Sequence, residues 1–433
     1  MTTSSQSGQG RGQTHAEDAV TIEPAQFSQA KLGVITGTIA LSVLVVFLAN
    51  MVYLFGSTFQ QAQRNHVFTI AAVNYDNDDS LVWSAFMQGY GLLRSDSFAS
   101  LVVLPSSSYP HPERLVTAVR EQEYWGAFYV HPGASSRLAA AVSGQTSSYN
   151  ASDAVTYIWN EIRYPSVSAS VIRAGILQLQ ATAENVFQAG APQQLLLYGT
   201  NNTSFAQTAI ASYLTPFTAT EINVSPAPQA QKAFYNTVVM AMSIIQQNLF
   251  LIAFAGVSRA SDLFSRPFKT SATWALLVGL VYTLLGSLVT TGYIWAFRED
   301  WALTGAGQFC LTWMALWLVQ HIYYQLLDGT LALVPIQLFS FLLVTFVLMN
   351  VAATVFPLEA GPGFYVWGHA LPAYQVLQVL LDVWSRGSHK LDEALAVLFA
   401  WWVVSGSYAA VGTLRKSRAA RKKGVGAVVV QDG

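Results

Sequence analysis

Residues 32–55 read LGVITGTIALSVLVVFLANMVYLF, a run without a single charged side chain. A helix that crosses hydrocarbon needs about 20 consecutive apolar residues, because an unpaired backbone amide finds no partner there. The run is too long for the apolar core of a signal peptide, so it reads as an uncleaved signal anchor. Five further windows of this kind follow near the other end of the chain: Phe234 to Phe254, Ala272 to Phe297, Gln308 to Leu327, Leu331 to Ala352 and Ala394 to Leu414. Between the first and second windows, residues 56–233 have ordinary polar content and no spanning stretch.

Composition agrees with that reading. Of 433 residues, 52% are hydrophobic and only 10% charged, where a soluble domain carries roughly a quarter charged residues. A formal net charge of −1 gives no electrostatic case for nucleic acid as a partner. The single cysteine, Cys310, excludes an intramolecular disulfide, a cysteine-based zinc knuckle and a CxxC redox pair. The expected fold is a membrane all-α bundle of six transmembrane helices, arranged 1 + 5, with a large extracytoplasmic α/β domain between the first and second spans.

Orientation follows from the basic residues, since short loops rich in Lys and Arg resist translocation. With the N-terminus inside, the cytosolic segments hold Arg11, Lys31, Arg259, Arg266, Lys269, Arg415, Lys416, Arg418, Arg421, Lys422 and Lys423. The short outer loops hold only Arg298, Arg386 and Lys390. Both termini are therefore expected in the cytosol, most simply at the plasma membrane. Four Asn-x-Ser/Thr acceptors, Asn150, Asn201, Asn202 and Asn223, all fall in residues 56–233, as expected if that domain faces a glycosylating lumen. Asn223 is the poorest of them, because Pro226 follows its Ser225.

Along the chain, residues 1–30 are rich in Ser, Gly, Gln and Thr and read as a solvated, disordered cytosolic tail. Residues 31–55 are the first transmembrane helix. Residues 56–233 alternate β-rich and helical runs: Val67–Val73, Val82–Leu93, Leu101–Leu104, a helix from Glu113, Tyr124–Val130 and a helix from Ser135. That alternation predicts an α/β layer on a parallel or mixed sheet, with Val167 to Gln188 as a long amphipathic helix across it. Residues 234–414 form the five-helix membrane domain, and 415–433 a basic cytosolic tail. Within the membrane domain, residues 353–391 hold Pro357, Gly361, Pro362 and Gly363 close together, which forbids a straight helix. A re-entrant segment is expected there, with Phe364, Tyr365 and Trp367 at the outer interface and glycine permitting both positive φ and close helix approach. The alternative is an exposed loop. Glu359 separates the two: shielded and hydrogen-bonded beside a re-entrant turn, fully solvated in a plain loop.

No G-x-x-x-x-G-K-[ST], G-x-S-x-G or H-E-x-x-H pattern occurs, so no nucleotide cradle, hydrolase elbow or zinc-protease helix is expected. No catalytic, cofactor-binding or metal-binding residues are assigned. His111 and His131 stand alone on loops and read as solvated surface residues. The spans hold no acidic or basic residue near their centres, which disfavours a carboxylate proton relay. What they do hold is amide and imidazole: Gln246, Gln247 and Asn248 in the second window, and Gln320, His321 and Gln325 in the fourth. These six are the candidate polar cleft between helices; the other reading is interhelical hydrogen-bond glue.

The run Phe356-Pro357-Leu358-Glu359-Ala360-Gly361-Pro362-Gly363-Phe364-Tyr365, continued by Gly368-His369-Ala370-Leu371-Pro372-Ala373-Tyr374, resembles the signature before the last span of the fungal nitrosoguanidine-resistance membrane proteins. Ala72 to Asp76 is similar to that family's opening strand, and Trp274 to Leu288 to its third span. The sequence departs at Leu381-Asp382-Val383-Trp384-Ser385, where the family stretch is more basic and apolar. The resemblance implies a protein similar to the permease half of ABC-2-type exporters, linked to resistance to toxic compounds and to lipid organisation. It implies no cofactor and no catalytic residue. Its expected partners are membrane lipids, amphipathic small molecules, and either a second copy in a homodimer or a separate ATPase subunit. A non-transporting scaffold or lipid-organising protein is the alternative.

Overall fold

The computed structural model describes residues 29–76, 80–190, 203–227, 234–299, 301, 303, 305–387 and 390–431. The expected N-terminal tail, up to residue 28, and the acceptors Asn201 and Asn202 lie outside them. The chain divides into two units, one ending at Phe47 and the other running from Leu48. The first contains the start of helix α1 (Gln29–Ser57), whose apolar side chains from Val34 to Phe47 are largely exposed. That is the surface of a helix made to meet lipid rather than protein.

In the second unit a five-stranded sheet comes first: β1 (Thr69–Asn74), β2 (Ser100–Leu104), β3 (Gly126–Val130), β4 (Val155–Trp159) and β5 (Ala219–Asn223). The order is β2-β1-β3-β4-β5, parallel except for the antiparallel β3–β4 pair, so the sheet is mixed. Helices α2 (Leu81–Leu93), α3 (Pro112–Arg120), α4 (Ala134–Val142), α5 (Ala174–Gly190) and α6 (Thr203–Leu214) fill the connections. Period-two alternation sorts the strands between two cores. Ile70, Ala72, Phe128 and Val130 pack with Phe86 and Ile176, while Ala71, Val73, Ala127 and Tyr129 pack with Leu115 and Val119 of α3. Helices α2 and α5 touch closely at Gly89, where a Cβ would come within 3.1 Å of the Ala183 backbone nitrogen.

The helical part comprises α7 (Val239–Ala260), α8 (Phe268–Ala296), α9 (Ala306–Leu333), α10 (Ile336–Val355), α11 (Pro372–Ser385) and α12 (Leu391–Gln431). Five helices among the described residues are long and apolar enough to cross a membrane: α1, α7 with its lead-in from Phe234, α8, α10 and α12. The chain is thus mostly helical and of multi-pass membrane character. Helix α9, which contains the fourth window, is as long but less apolar, because its Gln320, His321, Tyr323, Tyr324, Gln325 and Asp328 face the interior and are buried. The fifth window needs its start moved. Leu331 belongs to α9, and the chain breaks at Val334 and Pro335 before α10 begins; proline's missing amide is harmless at a helix start.

Residues 356–387 form a layer between sheet and bundle. Two short 3₁₀ turns, Leu358–Ala360 and Gly363–Ala370, lead into α11. At 14 residues α11 is only about 21 Å long, and every residue in it except Asp382 is buried. Its ends are fixed to the bundle: Asn350 Oδ1 accepts from the Ala373 amide (3.2 Å), and Trp384 Nε1 donates to Thr312 Oγ1 (3.1 Å). The sheet rests on the same layer through Phe68 against Phe356 and through Arg64 Nε, which donates to the Ala360 carbonyl.

Two expectations for this layer need correction. Gly361 has φ −76°, and the positive-φ glycines among the described residues are Gly133 and Gly144. The other expected use of glycine, close approach, is the one seen: a Cβ at Gly361 would lie 3.1 Å from the Leu358 carbonyl oxygen, and one at Gly368 would lie 3.0 Å from the Leu358 side chain. Phe364 is well exposed and Trp367 partly so, but Tyr365 is buried, its hydroxyl donating to the Tyr53 carbonyl at 2.8 Å.

Candidate functional site

Polar side chains on apolar helices turn toward one another, because hydrocarbon offers them no partner. Gln320 on α9 is the first hub. Its Oε1 accepts from Gln247 Nε2 (3.3 Å), and its Nε2 donates to Thr290 Oγ1 (3.0 Å) and Ser243 Oγ (3.3 Å). One helix, α9, is thereby tied to α7 and α8.

His321 is the second hub. Gln325 Nε2 lies 2.9 Å from its Nε2, and since an amide nitrogen can only donate, His321 Nε2 accepts. Its proton then sits on Nδ1, which faces Thr283 Oγ1 at 3.3 Å. Thr283 completes the arrangement by donating to the Gly279 carbonyl and accepting from Trp317 Nε1. Gln325 Oε1 accepts from Ser405 Oγ of α12 at 2.6 Å. The structure therefore brings Gln247, Gln320, His321 and Gln325 together as two adjoining hydrogen-bonded chains. Of the other two expected members, Gln246 borders the first chain, its Nε2 and Gln320 Oε1 both lying against Gly286, whereas Asn248 is buried with its Oδ1 unpartnered among the described residues.

Beside His321 lies an apolar cavity of about 490 Å³, formed by α8, α9, α11 and α12. Apolar side chains such as Leu280, Met314, Trp317, Val379, Leu395 and Phe399 form the wall, with His321 and Asp382 as its polar members. Asp382, the one α11 residue not buried, thus brings a carboxylate to the lining. Leu311, Phe399 and Trp402 line the cavity and are also exposed on the outside of the helices, so it is continuous with surface that would meet lipid. No single stretch of sequence marks it, because four separate elements contribute.

The Pro-Gly run from Phe356 to Tyr374 lies close by but outside the cavity. Phe356 and Leu358 are buried in the layer, and Pro372 opens α11. Glu359 is an exposed residue whose carboxylate stands 3.8 Å from the buried Arg163 guanidinium, its side chain 30% exposed, so it is neither the shielded, hydrogen-bonded group of a re-entrant turn nor the fully solvated one of a plain loop. Burial pulls Arg163 down to about 10, with Glu359 acting in the opposite direction.

The sheet domain holds the remaining candidates. His131 is not a freely solvated residue: its Nε2 is 2.8 Å from Thr156 Oγ1, and burial holds its pKa below the usual value. His111 is exposed just before α3. Asn150 is exposed, its Oδ1 accepting from Ser152. Asn223 is half-buried and its Nδ2, the atom a glycan would occupy, donates to Glu161 Oε2 at 2.8 Å. Among the described residues no group of three or more His, Cys, Asp or Glu could hold a metal ion.

Residues 39–407 match the family described as protein of unknown function DUF3533. The chain belongs to that family. No solved structure matches it. The DUF3533 match begins inside α1 and ends inside α12, so it takes in both hydrogen-bonded chains, the 490 Å³ cavity and the Pro-Gly layer. The basic residues from Arg415 onward lie beyond it.

Proposed function

We propose that this DUF3533 protein is a plasma-membrane protein that takes amphipathic, toxic small molecules from the bilayer and supports their export or tolerance, without an ATPase of its own. The observation that carries the reading is the apolar cavity beside His321 and Asp382, of about 490 Å³ and continuous with exposed apolar helix surface. Cavities of roughly 300–1,000 Å³ with a few polar groups suit drug-sized ligands. The likeness to nitrosoguanidine-resistance proteins and ABC-2-type permeases supports the same reading. In it, α9 is a sixth crossing shielded by its neighbours, both termini are cytosolic, and the sheet domain lies outside and is open to glycosylation. A separate ATPase subunit or a second copy would complete an exporter.

The test is accumulation of a fluorescent lipophilic compound in cells carrying or lacking the gene, together with their sensitivity to alkylating agents. Loss of the protein should raise both, and a cavity-filling Leu395→Trp variant that reaches the membrane normally should behave like the deletion. Unchanged accumulation and sensitivity would remove the proposal.

A second reading, a non-transporting scaffold, is favoured by one feature: the polar side chains of the bundle are bound mainly to one another, which is what helix-to-helix glue does. Transport by the purified protein in liposomes, with no partner present, would count against it.

A further inference from the structure

At the end of the bundle away from the sheet, a second cavity of about 740 Å³ lies between the C-terminal ends of α7 and α9 and the basic stretch of α12. Its lining is divided by chemistry. Leu251 and Phe254 of α7 and Leu331 of α9 are apolar, whereas Ser258, Arg259, Asp262, Arg415 and Lys416 are polar or charged. Leu251 precedes Ser258 by two helical turns, about 10 Å along the axis. On α7, therefore, the apolar Leu251 and Phe254 lie toward the middle of the bundle and Ser258 and Arg259 toward its end, with Leu331 of α9 beside the charged end.

Charge bookkeeping favours an anion. Three cations, Arg259, Arg415 and Lys416, face two carboxylates, Asp262 and Asp328. Lys416 is committed to Asp328, with Nζ 2.6 Å from Oδ1, and lies 5.3 Å from the Phe264 ring centre. That leaves Arg259 and Arg415 against Asp262. A second observation points to a ligand. Ser258 lines the cavity and is only 3% exposed, yet its Oγ has no hydrogen-bond partner among the described residues. A hydroxyl in that position ordinarily bonds a carbonyl in the preceding turn or a ligand.

We propose that this cavity binds an anionic phospholipid, with its phosphate against Arg259, Arg415 and Ser258 Oγ and its upper acyl chains along Leu251 and Phe254. The arrangement matches the two halves of such a molecule: a headgroup held by guanidinium and hydroxyl donors at the bilayer surface, and tails covering apolar wall. Lys416 and Asp328 form one fixed side of the site rather than the anion contact. On the orientation proposed above the lipid belongs to the cytosolic leaflet, where anionic lipids and the basic α12 extension would meet. The site is independent of whether the protein exports anything.

The experiment is native mass spectrometry of the full-length protein purified in detergent and offered equimolar phosphatidylserine and phosphatidylcholine. Phosphatidylserine should be retained in preference, and Arg259→Gln/Arg415→Gln should lower its retention about tenfold. Arg259→Lys/Arg415→Lys should keep most of it, and Ser258→Ala should lower it about threefold. Equal retention of the two lipids overturns the proposal, as does unchanged phosphatidylserine retention in the double glutamine variant. If that variant does not fold, Ser258→Ala decides, and no loss of retention there is fatal to the site. An added arm with millimolar inorganic phosphate distinguishes sources: displacement of the lipid by phosphate alone would mark a soluble-anion site instead.

Discussion

Arg163 Nη2 and Glu359 Oε1 stand 3.8 Å apart, joining the loop after β4 to the Pro-Gly layer above the bundle. The guanidinium is also held without the carboxylate: Nη1 donates to the Gln122 and Tyr124 carbonyls at 3.2 Å each, and its carbon lies 3.8 Å from the Trp125 ring centre. The two partners should therefore respond unequally. Glu359→Gln removes one long, partly solvated attraction and should cost about 1 kcal/mol or less. Arg163→Ala leaves two carbonyls and a ring uncovered and should cost on the order of 3 kcal/mol. Thermal unfolding of the detergent-purified variants checks this, and equal shifts would mean that the ion pair itself dominates.

Helix α9 packs most closely against α12 at Gly329, where an added Cβ would overlap the Tyr408 ring, and at Gly412, where one would lie 3.1 Å from both Ala332 Cβ and Gly329 Cα. Small residues let backbones approach where apolar burial gives no drive between helices. Gly329→Ala should cost about 1–3 kcal/mol, the usual range for overpacking. Gly292→Ala, with nothing within 4 Å of its Cβ, should be close to neutral. Folded yield after detergent extraction would distinguish the two.

Two groups of the sheet domain give stability a pH dependence. Burial keeps His131 neutral below its ordinary value. The unfolded chain thus takes up that proton first, and stability falls as pH drops below about 6.5. Arg173 holds the Glu221 carboxylate with two 3.0 Å hydrogen bonds and lowers its pKa. That contribution is present above the ordinary glutamate value of about 4.3 and is lost as pH falls through the lower folded value. His131→Gln should flatten the upper part of the pH–stability curve and Arg173→Gln the lower part. If each variant leaves its own window unchanged, the assignment fails.

Asn150 and Asn223 differ although both fit the acceptor pattern. The first is exposed; the second uses Nδ2 to reach Glu161, whose Oε2 also accepts from the Ala227 amide. With the domain in a secretory lumen, Asn150→Gln should remove one glycan's worth of mass on a gel. Asn223→Gln should leave the mobility unchanged while lowering folded yield, because it breaks the contact with Glu161. A mobility shift for Asn223→Gln would mean that this end of β5 opens before it folds.

The sequence was most informative where one residue type dominates a stretch. The apolar windows place α1 and α8 within about four residues and the start of α12 within three, and β-rich runs mark β1 and β3; the basic stretch from Arg415, read as a tail, is instead the continuation of α12 to Gln431, because apolar windows end where charge begins and a helix need not. β5, reading ATEIN, escaped notice because it is an edge strand with Thr220 and Glu221 exposed, so no apolar alternation survives. The polar site was half legible for a similar reason. An amide or imidazole stands out in an apolar helix, as Gln320, His321 and Gln325 did. Thr283 and Thr290 did not, because a hydroxyl in a helix can satisfy itself on the carbonyl four residues back, as both do. Only the fold reveals that the same oxygens also accept from α9.

Gln320 allows the two readings of the polar chains to be separated. Both of its side-chain N–H donors and its carbonyl oxygen are engaged, by Thr290, Ser243 and Gln247, and it is fully buried. Interhelical bonds of this kind are worth roughly 0.6–2 kcal/mol each in a membrane. Gln320→Leu should therefore lower stability by about 1–3 kcal/mol, with the loss concentrated between α9 and its neighbours α7 and α8. If the chain is glue, resistance and folded yield should fall together, and a stabilising condition that restores yield should restore resistance as well. If the chain lines a route, a variant rescued to normal yield should still fail to lower accumulation. His321→Asn is the companion measurement, since it retains a buried amide beside Thr283 but shortens the reach to Gln325 and alters the cavity wall. A variant that folds normally at position 321 and yet loses function would place the working surface at the cavity, and one that loses neither would leave the cavity without a role for its histidine.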